Sequence, residues 1–295
     1  MTNDLRTGAA FAVAAYTVWG INPVYFKWLS AVSPVELLCH RVVWSVVLLA
    51  VITLAMRRLR VAIAVLSNAR QLGWLGVSSL LISINWLVYI WAVQHDRIVE
   101  TTLGYFINPL LSVLLGVVVF RESIDRLQGI AIVVATVGVL NEVIAVGVFP
   151  WIALTLALSF ALYGFVRKRV GVDSVVGLAV ETSMLAPFAL VALAVLYANG
   201  TMSFGRQGTT VDLALVAAGA ITSFPLVCFA AAALRLPLSV LGIFQYLSPS
   251  LALLIAILAY GEPFTPNRAF TFGCIWAGLA LFSVSAFRSD TRRTR

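Results

Sequence analysis

Three ionisable residues, His40, Arg41 and Glu181, interrupt apolar runs that are long enough to cross a bilayer. Charged residues are costly inside a membrane and usually mark a pathway for ions or small molecules. Histidine titrates near neutral pH and a carboxylate can carry a proton, so His40 and Glu181 are candidates for proton coupling. Arg41 and Glu181 could form an ion pair, but their estimated depths differ by about 10 Å. The alternative is that each charge lines its own half of a pathway or extends towards its own membrane surface.

Two other polar residues, Asn108 and Ser248, lie near the middle of apolar runs and directly precede a proline. At about 1.5 Å per residue, they lie about 14 and 15 Å from the ends of their runs. Proline removes one helical hydrogen bond and frees the carbonyl four residues earlier, here that of Tyr105 and that of Gln245. Polar groups at this depth need a partner. Either the two polar sites, Tyr105 with Asn108 and Gln245 with Ser248, face a shared central cavity, or their side chains form hydrogen bonds with neighbouring helices.

Aromatic residues accompany these polar groups. Asn85 and Tyr89 are four residues apart and therefore share one helix face, and Phe224 stands at the corresponding place in the second half of the chain. A site with aromatic walls and a few polar groups suits a small molecule with an aromatic or apolar body and a polar or cationic head. Trp86 and Trp91 are interpreted as packing or lipid-facing residues.

Two of the predicted helices contain glycine or proline next to an aromatic residue, and could bend there. The first has Trp19, Gly20 and Pro23, and the other has Tyr163 and Gly164. Because helices bend at glycine and proline, these residues are candidates for gates, with the two aromatic rings as plugs. Ordinary packing of kinked helices is the alternative.

The elements that must position these residues are apolar runs of at least 18 residues, the length that crosses about 30 Å of hydrocarbon. Of the 295 residues, 61% are hydrophobic and 11% are charged, whereas soluble domains have about a quarter charged residues. We identify ten runs, near 8–26, 34–56, 72–93, 99–120, 127–144, 149–166, 175–198, 211–234, 238–260 and 268–287.

Basic residues are distributed unevenly between the two sides of these runs. With the N-terminus inside, the inner flanks hold fifteen Lys and Arg residues and the outer flanks hold four. This bias predicts that both termini are cytoplasmic. The net charge of +8 is thereby explained by topology, and nucleic acid is not expected as a partner.

The sequence repeats itself at a shift of 140 residues. Pro109 corresponds to Pro249 and Gly138 to Gly278, without a gap. Each half holds five runs, and because five is odd the second half enters the membrane from the opposite side. Inverted repeats of this kind are typical of secondary transporters, with the substrate site near the midplane.

The remaining glutamates are interpreted as structural or interfacial. Glu122 and Glu262 precede the fifth and tenth runs, where a carboxylate suits the positive end of a helix dipole. Glu36, Glu100 and Glu142 are expected near the outer membrane surface.

No metal, nucleotide or nucleophile motif is visible in the sequence, and the cysteines show neither a CxxC pair nor zinc-site spacing. We therefore expect no metal, no cofactor and no enzymatic activity. This pattern disfavours an intramembrane protease, a prenyl-transferring enzyme and an ATP-driven pump.

Six stretches together resemble the RarD branch of the EamA family, in the drug/metabolite transporter superfamily: AYTVWGINPVYFKWLS, ELLCHRVVWS, INWLVYIWAV, LGYFINPLLSVLLG, FALYGFVRK and LGIFQYLSPSLALL. The resemblance covers nearly the whole chain. It implies two EamA repeats of five helices, cytoplasmic termini and an inner-membrane exporter of small metabolites or drugs. RarD members are commonly described as chloramphenicol-related permeases, and other members of the superfamily export amino acids or amphipathic cations. An aromatic substrate similar to an amino acid would fit both descriptions.

The sequence thus predicts an all-α integral membrane protein with ten transmembrane helices in two inverted repeats, 1–145 and 146–295. We expect alternating-access export of small amphipathic compounds, with aromatic or apolar amino acids and chloramphenicol-like molecules as the leading substrates, across the bacterial cytoplasmic membrane. Its partners would be the substrate, the lipid bilayer and possible coupling protons, while no oligomeric state is predicted. A non-transporting assembly factor or receptor is the main alternative, and a membrane enzyme is another.

Overall fold

The computed structural model describes residues 3–120, 126–146, 149–233, 235 and 244–293 of the chain, with most of their side chains. These ranges form eleven helices, and the predicted all-helical architecture is confirmed. The helices are α1 (Asn3–Trp28), α2 (Pro34–Ala55), α3 (Leu59–Leu66), α4 (Ala69–Gln94), α5 (Ile98–Phe120), α6 (Arg126–Val146), α7 (Trp151–Val170), α8 (Ser174–Ala198), α9 (Thr209–Ala233), α10 (Leu247–Leu258) and α11 (Pro266–Arg293).

Nine of the ten predicted spans each coincide with one of the long helices. The ninth differs, because the described helix α10 begins only at Leu247. The short helix α3 was not predicted, and it occupies the polar interval between the second and third spans. Among the described residues, five helices are long and apolar enough by length and composition to cross a membrane, namely stretches of α1, α2, α4, α8 and α9.

Local sequence signals fix several helix ends. The Ser33 hydroxyl accepts a hydrogen bond from the third residue of α2, and Pro34 occupies the first turn, where its missing N–H costs nothing. Asn68 caps α4 in the same way. The Asp173 side chain accepts two backbone N–H groups at the start of α8, and α7 ends at Gly171, which has a positive φ of 66°.

The helices of the first half pack mainly against helices of the second half. The sequence repeat pairs α1 with α7, α2 with α8, α4 with α9, α5 with α10 and α6 with α11. When each helix is replaced by its counterpart, the contact of α1 with α9 becomes that of α7 with α4. Likewise the contact of α1 with α10 becomes that of α5 with α7, and that of α2 with α9 becomes that of α4 with α8. The pairs α2–α8, α5–α10 and α6–α11 map onto themselves.

The pair α6–α11 shows this reciprocity at the level of single residues. A Cβ on Gly138 would lie 2.8 Å from the carbonyl oxygen of Thr271, and one on Gly278 would lie 2.8 Å from that of Ala131. Gly278 and Thr271 are each 140 residues after Gly138 and Ala131, respectively. The two contacts are therefore the same contact viewed from each half.

Candidate functional site

The Arg41 side chain lies inside the helix bundle and is 6% exposed. Its Nε donates a hydrogen bond to the Thr222 hydroxyl of α9 at 2.7 Å. The guanidinium lies 4.2 Å from the ring centre of Trp86 on α4 and 5.7 Å from that of Phe26 on α1. Helices α1, α2, α4 and α9 thus surround this cation with aromatic faces and one hydroxyl group.

A continuous series of aromatic ring contacts leads from this arginine to the other half of the bundle. The ring centres are separated by 5.7 Å, 5.8 Å, 6.1 Å and 5.9 Å at successive contacts. We call this series the aromatic row; it consists, in order, of Phe26, Tyr89, Tyr105, Phe160 and Tyr163.

Glu181 lies at the opposite end of the aromatic row, because the Tyr163 hydroxyl donates a hydrogen bond to it at 3.3 Å. The carboxylate is completely buried and also accepts a hydrogen bond from the Ser78 hydroxyl. Arg167 lies 3.5 Å from it and forms an ion pair. The Arg167 guanidinium packs directly on Gly177, where an added Cβ would come 1.6 Å from Nη1.

Arg41 and Glu181 therefore have separate partners. No salt bridge joins them among the described residues. This arrangement favours the alternative in which each charge occupies its own half of the bundle, with the aromatic row between them.

Asn85 holds three helices together beside the aromatic row. Its amide nitrogen donates to the Leu156 carbonyl and to the Ser159 hydroxyl of α7, both at 3.0 Å. Its oxygen accepts a hydrogen bond from the Tyr105 hydroxyl of α5 at 3.1 Å. Because both ends of the amide already have partners, Asn85 positions Tyr105 and has little capacity left for a ligand.

His40 lies in the N-terminal half of α2. Its Nδ1 lies 3.2 Å from the indole nitrogen of Trp44, which donates to it, and its ring centre lies 4.8 Å from that of Phe204. The buried Nε2 has no hydrogen-bond partner among the described residues. Because Nδ1 accepts a hydrogen bond, the proton of the neutral ring lies on Nε2, and this nitrogen can donate a hydrogen bond to a ligand atom.

The four remaining candidate binding residues are not brought into the aromatic row. Asn108 is half-buried on α5, and its Oδ1 is buried without a hydrogen bond in the described part of the chain. Phe224 is 52% exposed and makes no ring contact with the row. Gln245 is exposed and Ser248 is half-buried.

The backbone around Gln245 differs from the predicted helix interrupted by a proline. Pro249 falls in the first turn of α10, which begins at Leu247, so its missing N–H does not break a helix interior. Gln245 belongs to the turn that precedes this helix. By contrast, α5 continues through Asn108 and beyond as one helix.

The candidate gating residues pack in ways that the sequence did not indicate. Trp19 contacts the rings of Tyr16 and Phe229 at 5.3 and 6.2 Å. Gly20 allows close packing of α1 on α10, because a Cβ there would lie 3.1 Å from the Ser248 carbonyl oxygen. Helix α1 continues through Pro23, and the space next to Gly164 is open. Gating by these residues remains a prediction.

Two glutamates, Glu36 and Glu142, are buried and bound to other parts of the chain. Glu36 is completely buried and accepts backbone N–H groups of Ser203 and Phe204 at 2.8 to 3.0 Å, which anchors the loop between α8 and α9. Glu142 is buried against Arg268 of α11. Both carboxylates are therefore buried and bound within the chain, while their expected position near the outer membrane surface stays a prediction.

Glu262 caps a different helix from the one predicted. Its carboxylate accepts the Ile98 and Val99 N–H groups, at 2.7 and 2.9 Å, and so caps α5 and not the following helix α11. Glu100 forms an ion pair with Arg97 near the start of α5. The repeat counterpart of Glu262, residue 122, lies outside the described residues.

Two cavities lie away from the aromatic row. The first, of about 100 Å³, is smaller than the ~300–1,000 Å³ typical of ligand sites; it is lined by Arg97, Glu100, Leu103, Glu142, Phe149, Pro150 and Arg268. The second lies between α4 and α8 and is an apolar surface groove, since its Phe188 is 75% exposed. In the described part of the chain, no group of three His, Cys, Asp or Glu residues is placed to hold a metal ion.

Comparison with known proteins identifies the family. The model of the EamA-like transporter family matches residues 6–141. An "Uncharacterized transporter" of Vibrio cholerae serotype O1 is 44% identical over 294 residues, which cover 99% of this chain and 97% of that protein. The chain belongs to the EamA-like transporter family.

Within that family, the chain belongs to the RarD branch of the drug/metabolite transporter superfamily. "Protein RarD" of Escherichia coli K12 is 40% identical over 290 residues, or 98% of each chain. The "Chloramphenicol-sensitive protein RarD" of Pseudomonas aeruginosa is 31% identical over 293 residues, with 97% of each chain covered. A crystal structure with 19% identity matches with a TM-score of 0.63 over 95% of this chain and 98% of that one, which shows a shared fold. As a member of the EamA family, the chain is a multi-pass membrane protein.

Sequence reasoning missed several residues of the candidate site, above all Trp86, Phe160 and Ser78. A depth argument could have found Trp86, which was interpreted only as a packing or lipid-facing residue. Arg41 lies seven residues from the N-terminal end of α2, and Trp86 lies eight residues from the C-terminal end of α4. Both are therefore about 10–12 Å along their helices from these ends, which the predicted topology puts on the same side. A buried arginine needs partners at its own level, and an aromatic face at that depth is one of them.

Proposed function

We propose that this RarD-type protein exports small amphipathic metabolites across the bacterial inner membrane, with aromatic or apolar amino acids and related chloramphenicol-like compounds as its leading substrates. The observation that carries this proposal is the aromatic row, which runs through the bundle from Arg41 to Glu181. An apolar bundle that served only to fill a membrane would need neither the two buried charges nor the phenol groups between them.

The chemistry of the row suits a ring-bearing substrate. Aromatic side chains bind other rings through offset or edge-to-face contacts, each worth about 0.5–1.5 kcal/mol beyond burial. The phenol groups of Tyr89, Tyr105 and Tyr163 place hydrogen-bonding atoms along the same row of rings. A compound with an apolar body and one polar end can therefore find partners at every step across the bundle.

The paired contacts between the two halves support alternating access. We propose ten transmembrane helices in two inverted repeats, 1–145 and 146–295, with both termini cytoplasmic. Equivalent contacts such as α1–α9 and α4–α7 could open alternately, because the same packing recurs on each side of the row. The name of the Pseudomonas relative supports including chloramphenicol-like compounds in the substrate panel.

Flux in proteoliposomes tests the proposal. Purified protein is reconstituted, and the efflux of labelled L-phenylalanine, L-tyrosine, L-leucine and chloramphenicol is measured with and without a pH gradient. We expect saturable flux of at least one compound above protein-free liposomes, and loss of that flux when Phe160 is replaced by alanine. An absence of flux for the whole panel would contradict export and favour the non-transporting alternative. Chemical conversion without net movement would favour an enzyme.

A further inference from the structure

Arg41 has more hydrogen-bonding capacity than its surroundings use. The guanidinium carries five N–H donors, and only Nε has a hydrogen bond to a described residue, the Thr222 hydroxyl. Trp86 and Phe26 cover it with ring faces, which attract the charge but accept no strong hydrogen bond. The two terminal nitrogens thus remain free of described hydrogen-bond partners.

The acidic residues in this half of the bundle are already occupied. The Glu36 carboxylate, five residues away on α2, accepts N–H groups of Ser203 and Phe204. Asp212 of α9 accepts the N–H of Gly205. No carboxylate among the described residues lies within salt-bridge distance of Arg41. A buried cation without a counter-charge is costly, and an anion from outside the chain would remove that cost.

Arg41 and its unused N–H donors lie beside one end of the aromatic row. Phe26, which the guanidinium contacts, is the first ring of the row. The second ring of the row, Tyr89, contacts the Phe26 ring at 5.7 Å and carries a hydroxyl group. A ligand whose ring lies along the row can therefore place an acidic group at Arg41.

We infer that Arg41 binds the carboxylate of the transported molecule. The substrates are then small aromatic or apolar carboxylic acids, amino acids included, whereas amines that lack the acid are poor ligands. A planar carboxylate matches the two terminal guanidinium nitrogens in a bidentate pair. This inference rests on the proposed export function and narrows its substrate class.

Three probes that share one aromatic body test the inference: L-phenylalanine, 3-phenylpropionate, which lacks the amine, and phenethylamine, which lacks the carboxylate. Binding to the purified full-length protein is measured by isothermal calorimetry, and flux is measured in proteoliposomes. We expect both carboxylates to bind at least tenfold more tightly than phenethylamine, because hydrogen bonds between charged groups are about twice as strong as neutral ones.

Two variants at the same position assign the preference to this side chain. Arg41→Gln should weaken both carboxylates about 10- to 100-fold and leave phenethylamine unchanged. Arg41→Lys keeps the charge without the two-armed geometry, so we expect an intermediate loss and a folded protein. Arg97→Gln, which removes an equal charge at the outer end of α5, is the matched control and should keep the preference.

Each outcome bears on one claim. Equal binding of phenethylamine and 3-phenylpropionate, binding of none of the three probes, or an unchanged preference in both Arg41 variants would overturn the carboxylate site. Flux that does not discriminate among the probes would overturn it while leaving export intact. Arg41-dependent binding without any flux would support the carboxylate site and overturn export.

Discussion

The Cβ that Gly138 lacks would lie 2.8 Å from the carbonyl oxygen of Thr271 on the neighbouring helix. The equivalent relation holds between Gly278 and Ala131, with the two helices exchanged. Close packing of α6 on α11 thus requires glycine at the same place in both halves.

Alanine at either of these glycines should destabilise the protein by about 1–3 kcal/mol, because a backbone oxygen cannot move aside as a flexible side chain can. Thermal unfolding of Gly138→Ala and Gly278→Ala in detergent measures the loss, and similar losses are expected from the two. Gly129→Ala on α6 and Gly273→Ala on α11 are matched controls, since their surroundings are open. These controls should be neutral or slightly stabilising; equal behaviour of all four variants would contradict the packing argument.

The amides of Asn85 and Asn108 should respond differently to alanine. Asn85 makes three hydrogen bonds to two other helices, so Asn85→Ala should lower the unfolding temperature and impair flux together. Asn108 has a buried oxygen without a described partner, so Asn108→Ala should reduce flux at unchanged thermal stability. Parallel flux and unfolding measurements separate the two. An equal loss of stability in both variants would show that Asn108 also holds helices together.

The Glu262 cap should be important for the start of α5. Glu262→Ala removes the acceptor of two buried N–H groups, and we expect a loss of about 2 kcal/mol of unfolding free energy. Hydrogen exchange should accelerate at the amides of Ile98 and Val99 and stay unchanged in α8. Glu262→Gln keeps one acceptor and should lose less. Unchanged exchange at these amides in Glu262→Ala would contradict the capping role.

Glu181 is the described carboxylate that binds the Tyr163 hydroxyl at one end of the aromatic row, and its exchange for glutamine tests proton coupling. Glu181→Gln keeps the shape and can still accept a hydrogen bond from Ser78, but it cannot carry a proton. We expect the stimulation of flux by a pH gradient to disappear while flux without a gradient persists. His40→Gln tests the second candidate in the same assay, and Glu100→Gln is the control for a carboxylate outside the aromatic row. A gradient that has no effect on the wild type would contradict coupling.

Helix identity followed from the sequence because it depends on short-range properties. The run that contains Asn108 and the run that contains Glu181 are both recognisable from about 20 consecutive apolar residues. Helix ends followed from local signals, as at Ser33 and Asp173. The start of α10 was harder to predict from the sequence, because Pro249 is compatible with the first turn of a helix as well as with a kink inside one.

The sequence by itself determined the family, the helical architecture and the polar residues that an apolar bundle must accommodate, since these depend on composition, length and motif. Only the tertiary structure decided which polar groups already have partners. Asn85 is saturated while Arg41 is not, and Glu36 and Glu262 bind backbone groups more than 160 residues away. These pairings are long-range: the rotation of each helix about its axis and the depth of each side chain together select the partner, and no local pattern in the chain records either one.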